Sequence, residues 1–125
     1  MAAGANRRKL QETTITIAST SSSGNTAESA AIASHEHVLF VINITTATAG
    51  TITFVIQTSA DDGTTWSSLS SGEMLGDTGA ISTTGGKHIS ARAPLGVRLR
   101  LNYTIATGPF AFTVLPIYER TGATH

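Results

Sequence analysis

The 125 residues fit one domain with no room for a second, and a domain of that size buries about two-thirds of the surface its unfolded chain exposes. There is no cysteine, so no disulfide, and Lys plus Arg balance Asp plus Glu at eight each. Charged residues are 13% of the chain against about 25% in an ordinary domain, leaving a neutral, hydroxyl-rich surface that offers phosphates little long-range attraction; general nucleic-acid binding is disfavoured on that ground.

Residues 1–10 lack hydrophobic periodicity and hold Arg7, Arg8 and Lys9, so they read as a flexible basic arm ahead of a single domain at 11–120 and a tail at 121–125. Glu12-Thr13-Thr14 follows the basic cluster where a secretory signal needs an apolar run, which predicts synthesis in the cytoplasm without a signal peptide. Alternation begins at Ile15 and Ile17, with Thr14 and Thr16 on the other side. A Ser/Gly/Asn linker covers Ser19 to Thr26, and Glu28 to Ser34 fits either a weak strand or a short helix.

Val38 to Thr45 is β-branched and nearly continuous, with Val38, Phe40, Ile42 and Ile44 on one face and Leu39 and Val41 beginning the other. Such a strand is expected to be covered on both sides. A turn at 47–50 leads to Thr51–Ser59, with Ile52, Phe54 and Ile56 inward, and Asp61-Asp62-Gly63 leads to a strand at Thr65–Leu69. Ser70 to Gly86 is Gly-rich and loop-like, with Ile81 as a short edge strand. After Lys87–Ala91 and the break at Pro94-Leu95-Gly96, Val97–Ile105 alternates cleanly: Val97, Leu99, Leu101, Tyr103 and Ile105 oppose Arg98, Arg100, Asn102 and Thr104. Thr107-Gly108-Pro109 turns into Phe110–Tyr118, with Phe110, Phe112 and Val114 inward. Seven or eight short strands with regular turn signals predict an all-β antiparallel sandwich, jelly-roll or immunoglobulin-like.

No stretch reaches the roughly eighteen apolar residues of a membrane helix. The sequons at Asn43 and Asn102 fall inside expected strands and read as chance matches. His35-Glu36-His37, with His88 as a distant third, lacks metal-ligand spacing, so no metal or cofactor is expected. Gly85-Gly86-Lys87-His88 fails as a phosphate loop, with Ile81 and His88 where Gly and Ser or Thr are required. No serine has nucleophile-elbow context, and Asp61 and Asp62, the only adjacent carboxylates, should point apart; the chain is expected not to be an enzyme.

The most specific local signal is Ser59-Ala60-Asp61-Asp62-Gly63-Thr64-Thr65-Trp66, which resembles the Asp-box of sialidase-type propellers at every motif position. Its physical sense is a tight hairpin: Asp61 accepts backbone N–H groups of its own loop, Gly63 supplies a positive φ, and Trp66 packs across. It reads as structural in preference to a ligand-binding tip. Candidate partner contacts are Arg7, Arg8 and Lys9 on the arm, Leu39 and Val41 on the second face of their strand, and Arg98 and Arg100, whose guanidinium forks suit carboxylates. The plainer reading of the two arginines, a solvated sheet face, comes first, and the contact strip is its sharper alternative. Sugar binding would stack rings on Trp66, Tyr103 or Tyr118.

From Thr51 to Tyr118, the run TITFVIQTS, the DDGTTW hairpin, the Gly-rich stretch, APLGVRLRLNYTI and the closing FAFTV are similar to small β-sandwich virion proteins of tailed bacteriophages, including capsid decoration (cement) proteins. The resemblance implies a structural homo-oligomer on the capsid surface that binds the major capsid protein and stabilises the shell. A tail, neck or fibre component, or a carbohydrate- or receptor-binding module, is the alternative.

Overall fold

A computed structural model describes residues 7–11, 13–26, 37–92 and 98–121, with the backbone alone taken at 7–11 and 119–121. Its strands are β1 Arg7–Gln11, β2 Ile15–Thr20, β3 Gly24–Asn25, β4 His37–Ala47, β5 Gly50–Ser59, β6 Ser67–Ser68, β7 Met74–Gly76, β8 Gly85–Arg92, β9 Arg98–Thr107 and β10 Phe110–Thr121. Among the described residues the one helical element is a 3-10 turn at Ser71–Glu73. The strands form two antiparallel sheets packed against each other, so the chain is an all-β sandwich.

The first sheet runs β2–β10–β4–β8, with β1 added along β10 and β7 outside β8; the second runs β3–β9–β5–β6. With β1 and β7 set aside, eight strands remain. They pair first with last (β2–β10), second with seventh (β3–β9), third with sixth (β4–β8) and fourth with fifth (β5–β6). Successive pairs alternate between the sheets. That nesting is a jelly roll, not the immunoglobulin order.

Alternation decides what fills the middle. Val38, Phe40, Ile42 and Ile44 of β4 and Phe110, Phe112, Val114 and Tyr118 of β10 face Ile52, Phe54 and Ile56 of β5 and Leu99, Leu101 and Tyr103 of β9, and all are buried. Phe112 ties the layers together: its ring meets Phe54 and Tyr103 edge-on at 5.2 and 5.1 Å.

Several expectations need correction. Arg7 to Leu10, read as part of a flexible arm, belong to strand β1, which runs to Gln11 and is paired from Arg7↔Thr121 to Gln11↔Ile117. A basic cluster conceals a strand when the pairing partner lies at the other end of the chain. β1 and β2 share one edge of β10, meeting it at Gln11↔Ile117 and Ile15↔Val114 on either side of Leu115 and Pro116, and Pro116 has no N–H to donate. The linker at 19–26 contains β3, anchored by reciprocal bonds between Thr26 and Leu101. The expected strand at Thr65–Leu69 shrinks to Ser67–Ser68, while the loop at 70–86 contains β7, whose Met74 is buried. Among the described residues nothing covers the second face of β4, where Val41 is 39% exposed. The expectations for Glu28–Ser34, His35 and the Pro94-Leu95-Gly96 break lie outside the described residues.

Candidate functional site

At the end of β5 the chain turns on two successive positive-φ residues, Asp62 (64°) and Gly63 (95°). The turn is organised from inside. Ser59, 1% exposed, donates its hydroxyl to Asp61 Oδ1 at 2.8 Å and accepts the Gly63 N–H at 2.9 Å. Asp61 Oδ1 also accepts the Thr65 N–H at 2.7 Å, and the Trp66 indole N–H donates to the Gly63 carbonyl at 3.1 Å. All five motif residues, Ser59, Asp61, Gly63, Thr65 and Trp66, are thus consumed in closing one hairpin.

These bonds favour the ionised form of Asp61. The Thr65 N–H first, then the Ser59 and Thr65 hydroxyls, lower its pKa from 3.8 to about 2. A carboxylate with a depressed folded-state pKa adds stability that is fully present above its unfolded pKa and lost as pH falls through the folded one. Asp61→Ala should therefore melt below the native chain at pH 7, and the gap should close between pH 4 and 2, as followed by calorimetry. A gap unchanged across that window would contradict the hydrogen-bond assignment.

The outer face of the second sheet holds the two arginines considered as partner contacts, and both are engaged within the chain. Arg98 Nε donates to Asp62 Oδ1 at 2.7 Å, tying β9 to the hairpin tip. The Arg100 guanidinium lies 4.1 Å from the Trp66 ring centre, and its Nε donates to Gln57 Oε1 at 2.7 Å. Gln57 in turn donates to Ser68 Oγ at 3.0 Å. This network is local scaffolding around the hairpin. It also bears on sugar stacking: one face of Trp66 is under Arg100, and Tyr103 and Tyr118 are 8% and 2% exposed.

The outer face of the first sheet is different. Pairing sets Leu75 beside Ser90, Ser90 beside Leu39, and Leu39 beside Ile117, a row across β7, β8, β4 and β10. One step along, Val41 lies between Leu115 and His88. Leu39, Leu115 and Ile117 are half-buried, Val41 is exposed, and Leu75 is 67% exposed. Polar neighbours, Asn43 beside Thr113 and His88 beside Asp77, border this apolar centre. Leu39 and Val41 were singled out from alternation; Leu115, Ile117 and Leu75 join them only through strand order.

A cleft of about 310 Å³ opens beside Leu75, with Leu69 and Leu75 as apolar lining and His37, Glu73, Ser90 and Arg92 as polar lining. The Glu73 carboxylate accepts the Ser70 N–H at 2.8 Å and the Ser70 hydroxyl at 3.1 Å, and these bonds lower its pKa. His37 pairs across the sheet with Arg92, while His35 and Glu36 lie outside the described residues. No group of three His, Cys, Asp or Glu side chains able to hold a metal occurs among the described residues. By register, Arg7, Arg8 and Lys9 stand opposite Thr121, Arg120 and Glu119. No family model matches the sequence, and no curated protein matches it significantly.

Proposed function

We propose that this chain is a structural docking subunit of a tailed-phage particle, a capsid decoration protein that binds the major capsid protein on the head exterior together with copies of itself. The observation that carries the reading is the uncovered apolar centre on the first sheet, Leu39, Val41, Leu75, Leu115 and Ile117. Scattered surface hydrophobes need no explanation, but a contiguous patch rimmed by polar groups fits a surface meant for a partner. The low charge of the chain fits the same use, since a weakly charged surface is easier to tolerate against neighbours than in free solution. The jelly roll is at home in capsid and lectin domains alike, so the fold permits the reading without choosing it. The pattern similarity of Thr51–Tyr118 to phage virion β-sandwiches supplies the particle.

Stabilisation would come from modest apolar contacts repeated over many copies. Purified particles should hold the chain in stoichiometric amount, and stripping it should lower their resistance to heat. A handful of copies per particle would move it to the tail or neck, and particles equally heat-resistant without it would end the decoration reading.

A further inference from the structure

The cleft beside Leu75 sits at a seam of the sandwich. Its floor comes from β8 and β7 of the first sheet, through Ser90, Arg92 and Leu75, and its wall from the segment that leaves the second sheet after β6, through Leu69 and Glu73. It is continuous with the uncovered apolar row, because Leu75 and Ser90 belong to both. At about 310 Å³ it has the volume to take one large side chain.

Its charges are not equivalent. Oε1 of Glu73 accepts both the N–H and the hydroxyl of Ser70, which holds that carboxylate in place in its ionised form. Arg92 is exposed, and among the described residues its side chain makes no hydrogen bond or ion pair, unlike Arg98 on Asp62 and Arg100 on Gln57 and Trp66. A guanidinium carried on a strand beside a partly apolar cleft can offer its donor fork to a carboxylate that enters there. Apolar lining and unspent cation together define a two-part recognition element.

We propose that this cleft receives an apolar side chain with an adjacent carboxylate, presented on an extended segment of a partner protein. The apolar group lies between Leu69 and Leu75, and the carboxylate meets Arg92. This rests on the docking reading above and names the chemistry of the partner. Among the described residues no strand pairs with the outer side of β7, the edge strand of its sheet, and an extended segment could add there.

The test is a titration of the isotope-labelled chain, followed by amide NMR, with the blocked peptide acetyl-Gly-Leu-Glu-Gly-amide. Two control peptides replace Glu by Lys or Leu by Gly, and the small carboxylate 4-phenylbutyrate is a third control. One isolated contact of this kind binds with a Kd of about 1 mM. The expected result is saturable shifts at Leu75, Ser90 and Arg92, with both control peptides at least about threefold weaker. Arg92→Ala should erase the preference for Glu over Lys, and Leu75→Ser should weaken both; both positions are exposed, so the fold should be retained. Equal binding of the Lys peptide, shifts elsewhere, or no saturable shift would overturn the proposal. Tighter binding of 4-phenylbutyrate than of the peptide would make the cleft a small-molecule site and overturn the partner segment. Peptide binding by a chain missing from purified particles would instead remove the decoration reading and leave the cleft assignment standing.

Discussion

Phe112→Ala should cost about 3–5 kcal/mol of folding stability, the usual range for removing a buried phenylalanine ring. Phe112 is 1% exposed and belongs to β10, the strand flanked by β1, β2 and β4, while its two ring partners, Phe54 and Tyr103, belong to the opposite sheet. Deleting the ring loses burial, opens a cavity between rigid layers and removes two edge-on aromatic contacts at once. Domains of this size are stable by about 5–15 kcal/mol, so the variant should sit near the threshold of folding. The measurement is a urea unfolding curve, with the midpoint falling sharply and the slope unchanged. Phe112→Leu, which keeps most of the volume, should lose much less. A loss below about 1 kcal/mol for the alanine variant would mean that the layers are not joined through this ring.

Gly50→Ala should be the most damaging change that adds a single methyl group, at about 3 kcal/mol. Gly50 opens β5 at φ +78°, and a Cβ placed there would stand 1.8 Å from the Ala106 carbonyl oxygen and 2.7 Å from Thr107 Cβ. The nearest obstacle is backbone, held by the β5–β9 ladder that pairs Gly50 with Thr107, so it has nowhere to go. Left-handed backbone adds its own penalty of about 1–2 kcal/mol for a residue with a side chain. Gly79→Ala is the control, because nothing lies within 4 Å of its added carbon. Its effect should stay within about 0.5 kcal/mol. Equal melting temperatures for the two variants would contradict the register of the β5–β9 pair.

What the sequence revealed follows the range of the interactions involved. The Ser59–Trp66 hairpin was legible because its donors and acceptors lie within a few residues of one another. The inward sets of β4, β5, β9 and β10 were legible because alternation is a local property of each strand. Strand order was not: β2 pairs with β10 across almost the whole chain, and nothing in either segment names the other. β7 escaped because three residues are too few to show a period. With β7 unseen, Leu75 and Arg92 had no reason to be considered together, and the cleft they share with Leu69 stayed hidden. The arginines of β9 were legible only in part: alternation puts Arg98 and Arg100 on an outward face, but their partners Asp62, Trp66 and Gln57 lie in other segments and could not be read from it.

The docking role assigned to the outer face of the first sheet is tested most directly by hydroxyl-radical footprinting of the chain, free and in its native assembly. Leu39, Val41, Leu75, Leu115 and Ile117 should be labelled less in the assembly, with Trp66 on the opposite sheet unchanged. Protection at Trp66 with full labelling at Val41 and Leu75 would place the contact on the other face and contradict the account.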